Sequence, residues 1–554
     1  MRNCLGFLVL FFLFGSCTTE NLDQHPNIIW ITCEDISPTL SFYGDSSAQT
    51  PVLDRLAEQS LIYDNAFATV GVCAPSRSSI ITGMYPVSIG THNMRTGRDY
   101  SGWGTRLYNG ESDAIDIDGK KVPLYSAVIP SEVKCFTEYL RAAGYFCSNN
   151  AKTDYQFAAP LTAWDENGPQ AHWKHRKTGQ PFFAVFNHEV THESRMWMNK
   201  NLPMTVDPNT VHLPPYFPND SVVRNDVARN YSNIELLDQQ VGEKLKELEE
   251  AGVLDNTIIF FFSDHGGPLP RGKREHYDSG LRVPFLVKFP GDGNFERVDD
   301  LISFVDLAPT ILSLAGIEAP EYMQGQAFLG KYKSKTERKY IYGSGDRFDE
   351  FSDRIRSIRN HRFMYVRNYH PELPAYKDVS YRKQMDMMNQ LLTLKDEGHL
   401  NEDQLYFFRE TKLDEEFYDC TIDSFQLHNL IDQPEYTNEI EELRKAMNTW
   451  QVSVGDLGFI PEHDLFLQMW PDGIQPQTAD PILEIYNHEI TASSTTVGAS
   501  LAYILSDENF VPDLDSGWQL YNGPIVNASS KYIYIIAVRI GFKDSEIVKI
   551  SLNE

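Results

Sequence analysis

Three short apolar runs, each leading into ionisable residues, constrain this chain most. Residues 28–31 (Ile-Ile-Trp-Ile) run up to Glu34-Asp35, residues 182–186 to His188, and residues 258–262 to Asp264-His265. Runs of this kind, rich in β-branched and aromatic residues and without polar alternation, suit strands buried on both faces. In an open α/β sheet, ligands bind beyond the carboxyl ends of the strands, which is where these polar residues fall. Between the runs, Val227, Tyr231, Ile234, Val241, Leu245 and Leu248 recur at helical spacing before Gly252. The alternation predicts an α/β fold with a large mixed, mostly parallel sheet sandwiched by helices.

A chain of 554 residues exceeds a single ordinary core. We expect a catalytic domain over residues 25–339 and a smaller α+β subdomain over 340–461. A linker over 462–478 would lead to a small β-sandwich over 479–554, where residues 532–538 (Tyr-Ile-Tyr-Ile-Ile-Ala-Val) mark short strands. Residues 498–503, 518–524 and 537–542 resemble the C-terminal β-domain of chitobiase-like enzymes, which implies an accessory role.

With 49 Lys and Arg against 77 Asp and Glu, the net charge of -28 excludes nucleic acid as a partner. An anionic substrate would need local cations and a metal to reverse that field. At the N-terminus, Arg2 precedes an apolar run over residues 5–14, about half of what a spanning helix needs, so residues 1–16 read as an export signal. Gly15-Ser16 before Cys17 resembles a bacterial lipoprotein signal, which implies lipid anchoring at Cys17 and a periplasmic or cell-surface address. Beyond Cys17 remain Cys33, Cys73, Cys135, Cys147 and Cys420, an odd and sparse set that is no disulfide framework. A bridge between Cys135 and Cys147 stays open.

Cys73 stands out by context. Residues 73–77 read Cys-Ala-Pro-Ser-Arg, followed by Thr82-Gly83. Pro75 suits the first helical position, which would set Cys73 at a helix N-terminus where exposed amides favour an anion. Arg77, one turn on, can make charge-assisted bonds to an oxyanion. Glu34-Asp35 and Asp264-His265 end two strands and offer hard donors for a divalent cation.

The 73–77 segment resembles the type I sulfatase signature C-x-P-S-R of the alkaline phosphatase superfamily. The resemblance implies that an enzyme, formylglycine-generating or of the anaerobic sulfatase-maturating kind, oxidises Cys73 to formylglycine (3-oxoalanine). The gem-diol of that aldehyde would attack the sulfate sulfur. It assigns the metal to Glu34, Asp35, Cys73, Asp264 and His265, although Glu34 and His265 depart from the commoner Asp and Asn. Ca2+ is the leading ion, with Mg2+ or Mn2+ open because an imidazole favours softer cations.

Residues 266–284, with Lys273, Gly280, Arg282 and Pro284, resemble the family's second lysine segment. Lys273 would then bind sulfate. Residues 149–155 stand where the family has G-K-x-H, so Lys152 carries over while Asp154 replaces the histidine. Residues 187–192 resemble the segment whose histidine serves the leaving group, and the alignment favours His192 over His188.

Residues 212–219 and 251–257 resemble the sulfamidase (N-sulphoglucosamine sulphohydrolase) branch. The implied function is a sulfatase acting on sulfate esters or N-sulfate of a carbohydrate, heparan-type glycosaminoglycan first and algal polysaccharide second. The alternatives are a phosphate or phosphonate monoester hydrolase of the same superfamily and an inactive surface glycan-binding lipoprotein. His92, Asn93, Arg95, Arg224 and Arg229 are further candidates for meeting a sugar's charged groups.

Overall fold

The structure, a computed structural model, describes residues 25–554 apart from 99–100, 104–107, 109, 111, 292–294, 487–488, 527–529 and 553–554. The expectations for the export signal and for Cys17 lie outside the described residues. Eight strands form the main sheet: β1 (Asn27–Cys33), β2 (Leu61–Phe67), β3 (Phe146–Asn150), β4 (Glu166–Asn167), β5 (Phe182–His188), β6 (Thr257–Ser263), β7 (Phe285–Lys288) and β8 (Glu296–Ser303). Their order is β4-β3-β5-β1-β6-β7-β2-β8. Only β7 runs antiparallel to its neighbours, so the sheet is mixed and mostly parallel, as the apolar runs predict.

The three runs become the adjacent strands β5, β1 and β6. Cys33 pairs with His188 on one side and Ser263 on the other, so all three strands deliver their polar sequels to one edge. Side chains alternate between two cores, as the pleat requires. Ile28, Trp30, Phe183, Val185, Phe260 and Phe262 face one cluster, while Ile29, Ile31, Phe182, Ala184, Phe186, Ile259 and Phe261 face the other. Each fully buried side chain of this size contributes about 1.5–3 kcal/mol.

The long helix Ser221–Glu250 covers the second face with Val223, Val227, Ile234, Leu237 and Val241. Asp220 caps it by accepting from the amides of Val222 (2.8 Å) and Val223 (3.3 Å). Gly252, at φ 66°, ends it. Ile80 and Ile81 of the helix Cys73–Thr82 join the helix Leu307–Leu314 on the first face.

A four-stranded antiparallel sheet (Ile341–Gly345, Ile355–Arg359, Phe363–Asn368, Glu415–Asp419) packs its apolar face on the helix Thr437–Val454. Residues 462–469, expected as the start of a linker, form instead the helix Glu462–Met469. Leu465, Phe466 and the fully buried Trp470 pack there against Val122 and Tyr125, so the apolar content of this stretch makes it a packed element. The last segment holds a three-stranded and a four-stranded antiparallel sheet. All five described cysteines are buried free thiols, Cys135 and Cys147 included.

Candidate active site

Cys73 is the first residue of the helix Cys73–Thr82, which follows the extended Val72 with no side-chain cap. Pro75 stands third in the helix rather than first, still within the turn whose amides have no intrahelical acceptor. Arg77 returns one turn later and ties three strands together. Its Nη2 donates to Glu34 Oε1 (2.9 Å), its Nε to Asp264 Oδ2 (3.0 Å) and its Nη1 to Asn187 Oδ1 (2.8 Å). Ser76 Oγ adds a bond to the Asp264 carbonyl at 2.6 Å.

Two groups of convergent donors result, Asp35 with Asp264 and His265, and Glu34 with Cys73 and His192. In the first, His265 Nδ1 lies 2.9 Å from the Gly266 carbonyl, which places the ring proton on Nδ1. Its Nε2 is fully buried and lies 3.0 Å from Asp35 Oδ1 and 3.6 Å from Asp264 Oδ1, with no aligned hydrogen bond. An imidazole lone pair directed at two carboxylates fits a divalent cation between them. Burial disfavours the imidazolium, but Asp264 and Asp35 outweigh it and raise the His265 pKa to about 10, so a cation would take up that lone pair by displacing the Nε2 proton the two carboxylates otherwise attract.

Lys273 Nζ donates to both oxygens of Asp35 at 2.9 and 2.7 Å. Burial works against ionised Asp35, yet Lys273 and His265 hold its carboxyl well below the usual range. Asp264 moves the other way, raised chiefly by burial.

In the second group, Glu34 is fully buried and its longer side chain reaches Lys152 Nζ at 2.8 Å as well as Arg77. Burial opposes its charge, but Lys152 and then Arg77 keep it ionised. His192 Nδ1 accepts from the Ser194 amide at 3.2 Å, so Nε2 carries the proton, 3.8 Å from Glu34 Oε2. Burial first, then Lys273, depresses the His192 pKa well below its usual value, which keeps the ring neutral and Nε2–H available.

The five predicted side chains Cys73, Arg77, Lys152, His192 and Lys273 thus surround one site, and Glu34, Lys152, His192 and Lys273 line a cavity of about 530 Å³. His188 turns away to Gln240 at 3.0 Å. Asp154, at φ 54°, stands 3.5 Å from Lys152 with Oδ2 buried and without a hydrogen bond. Of the further candidates, Arg95 lines the cavity. Arg224 and Arg229 instead donate to the carbonyls of Pro208 and Val211 and of Leu202 and Pro203, and Asn93 accepts from the Arg347 amide.

Sequence reasoning missed Asn187, which accepts from Arg77 and donates to Asn149 Oδ1, bridging β5 to β3. Its signal was its place at the carboxyl end of a buried run. It also missed Glu193, Arg274, Asp349 and Tyr381 in the cavity wall, which carry no local signature.

A mixed sheet with a cation-lined, carboxylate-flanked pocket at the carboxyl ends of its central strands suits a hydrolase of anionic esters. The family model described as sulfatase matches residues 26–317, and one described as N-sulphoglucosamine sulphohydrolase, C-terminal, matches residues 271–399. An ulvan-active sulfatase of Formosa agariphila is 44% identical, covering 98% of this chain and 94% of its own length. The human N-sulphoglucosamine sulphohydrolase is 26% identical over 84% of this chain and 95% of its own. A solved structure of a protein bound to its substrate D-glucosamine-2-N,6-O-disulfate shares the fold, with a TM-score of 0.52, 17% identity, and coverage of 78% of this chain and 99% of that one. This chain belongs to the sulfatase family and is a sulfuric ester hydrolase.

Proposed function

We propose that this sulfatase removes sulfate from an algal polysaccharide of the ulvan kind, with heparan-type N- or O-sulfate second. The match at 44% identity over nearly the whole chain supports that order over the 26% match to the human sulfamidase, and so reverses the order expected from the motifs. The observation that carries the chemistry is the placement of Cys73 at an uncapped helix start among Arg77, Lys152, His192 and Lys273.

Cys73 is assigned as the residue converted to formylglycine, whose hydrate supplies a hydroxyl for attack on sulfur and, carrying a second hydroxyl, can release sulfate by reverting to the carbonyl. Glu34, Asp35, Asp264, His265 and residue 73 would hold the divalent cation, Ca2+ first and Mg2+ or Mn2+ after it. When bound, the cation polarises sulfate oxygens and lowers the pKa of the attacking hydroxyl. Glu34 also fixes Arg77 and Lys152.

Lys152 and Lys273 neutralise the sulfate oxygens, and their mutual placement is held by Glu34 and Asp35. His192 Nε2–H donates a hydrogen bond to the departing sugar oxygen and stabilises the negative charge that builds on it. A maturation enzyme acting on Cys73, export by residues 1–16 and lipid attachment at Cys17 complete the reading. Among the described residues no helix is long and apolar enough to cross a membrane. Residues 479–554 serve as an accessory module.

The test is sulfate release, followed by ion chromatography, from ulvan oligosaccharides, glucosamine N-sulfate and 4-nitrophenyl sulfate, on protein co-expressed with a formylglycine-generating enzyme. Release from ulvan oligosaccharides that Cys73→Ser abolishes is the expected result. Preference for 4-nitrophenyl phosphate over the sulfate would favour the phosphoester alternative instead.

A further inference from the structure

Where the segment carrying Lys273 meets residues 377–412, a second cavity, of about 20 Å³, is lined by Arg271, Glu275, His276, Lys377, Arg409 and Lys412 among others. One water-sized body needs about 10–15 Å³, so the space admits a single monatomic ion or a single water and no tetrahedral oxyanion. None of these side chains takes part in the chemistry described above.

Hydrogen bonding around the cavity is incomplete. Among the described residues His276, 3% exposed, has no partner at Nδ1 or Nε2, and Arg271, 1% exposed, has none at Nη1. The His276 ring is fixed, stacked on Phe348 with centres 6.2 Å apart and so close to Gly345 that a Cβ there would lie 1.9 Å from its Cε1. Burial, reinforced by Lys377, depresses its pKa well below the usual value, so the ring is neutral and one nitrogen donates. Arg271 is anchored by Nη2, which donates to the Gln426 carbonyl at 2.6 Å, and by the rings of Tyr216 and Tyr277, which leaves Nη1 as a spare donor. The buried Lys377 Nζ donates to Glu275 Oε2 at 3.3 Å, one of the three bonds an ammonium offers. Buried polar groups are nearly always paired, so spare donors on three residues around one small cavity call for a shared acceptor.

Charge points the same way. Lys412 is matched by Asp353 at 3.0 Å and Arg409 by Glu416 at 3.2 Å. Arg271, Lys377 and the buried Arg382 are left with one carboxylate, Glu275, which lies 3.3 Å from Lys377 and 3.8 Å from Arg382. Arg382 lies 5.7 Å over Phe407, itself part of the cavity wall, with Nε and Nη1 unpaired. Buried charge without a counterion is strongly unfavourable, and an anion offsets this positive surplus where a water does not.

We propose that this cavity binds a single halide ion, which accepts from Arg271 Nη1, the His276 ring and Lys377 Nζ and fastens the Lys273 segment to residues 377–412. Glu275 follows Lys273 by two residues, and Arg382 Nη2 donates to the Lys273 carbonyl at 2.5 Å. The ion therefore braces the loop that presents Lys273 to the active-site cavity.

Two measurements on the whole chain test this, and neither depends on which ester the enzyme hydrolyses. Crystals grown without halide and soaked in sodium bromide should show a bromine anomalous peak between Arg271, His276 and Lys377. In thermal melts at equal ionic strength, Tm should be about 1–3 °C higher in sodium chloride than in sodium gluconate, and the gain should saturate with chloride. Arg271→Met and Lys377→Met should each abolish that gain, whatever they do to the starting Tm. If neither variant folds, the bromide map and the melts of the wild type still decide. A water in the cavity of the bromide-soaked crystal would overturn the inference. So would a bromine peak with no chloride-dependent gain in Tm, which would mark an adventitious ion only, or a gain that both variants keep.

Discussion

His192 illustrates how much of the chemistry one side chain's surroundings decide. The Ser194 amide occupies Nδ1, burial and Lys273 keep the ring neutral, and the proton left on Nε2 points into the cavity. A donor of this kind matters most when the leaving oxygen is a poor one. His192→Ala should therefore lower kcat on sugar sulfates about 100-fold and on 4-nitrophenyl sulfate only a few-fold, since nitrophenolate departs without help. Equal losses on the two substrates in steady-state assays would speak against this role. Arg77 makes a different prediction, because its three bonds to Glu34, Asp264 and Asn187 need the planar guanidinium fork. Arg77→Lys should lose about 100-fold in kcat/KM together with several degrees of Tm, as one ammonium cannot serve three strand ends. The residues proposed for catalysis were legible because their motifs are short and local. Arg274 and Asp349 were not, because their pairing joins residues 75 positions apart and rests on backbone angles that no spacing encodes.

At the scale of elements, the unbroken apolar runs that form β1, β5 and β6 were enough to foretell a doubly covered sheet. It could not give the strand order, since pairing β1 with β5 and β6 depends on crossovers of more than 60 residues. The linker expectation failed for a related reason: Leu465, Phe466 and Trp470 find their partners at Val122 and Tyr125, far away in sequence. The long helix carries a testable strain where it meets the helix Asp386–Asp396. Asp226 Oδ2 accepts from the Met387 amide at 2.7 Å, and burial raises the Asp226 pKa to about 6. A carboxyl whose pKa rises on folding contributes stability that is complete below the unfolded value near 3.8 and lost as pH climbs through about 6. Asp226→Asn keeps an acceptor for Met387 and abolishes that loss. Its advantage over the wild type in thermal melts should grow by about 2 kcal/mol between roughly pH 4 and pH 7. A constant difference across that range would show that Asp226 is not buried against the second helix as described.

Across the whole molecule, the C-terminal β-module is docked on the catalytic part. Ala502, Trp518, Tyr534 and Ile536 pack with Leu161, and Arg539 and Arg141 reach across to the Ile129 carbonyl and from residue 141 to the Trp518 carbonyl. Gly498, at φ 77°, comes so close to Ser131 that a Cβ would lie 2.2 Å from its carbonyl oxygen. Gly498→Val should therefore loosen the module, lowering Tm and speeding proteolysis near residue 479, while 4-nitrophenyl sulfate turnover persists. Unchanged proteolysis would mean that the contact does not hold the module. The alternating strands of this module were readable in sequence, whereas its docking surface, built from single residues on several loops, was not.

The account as a whole depends on the chemistry of Cys73, which mass spectrometry of its peptide tests most directly. On protein made beside a formylglycine-generating enzyme, replacing CH2–SH by an aldehyde should lower the peptide mass by about 18 Da, in parallel with sulfatase activity. An unmodified thiol at Cys73 in protein that nonetheless hydrolyses sulfate esters would contradict the proposed nucleophile.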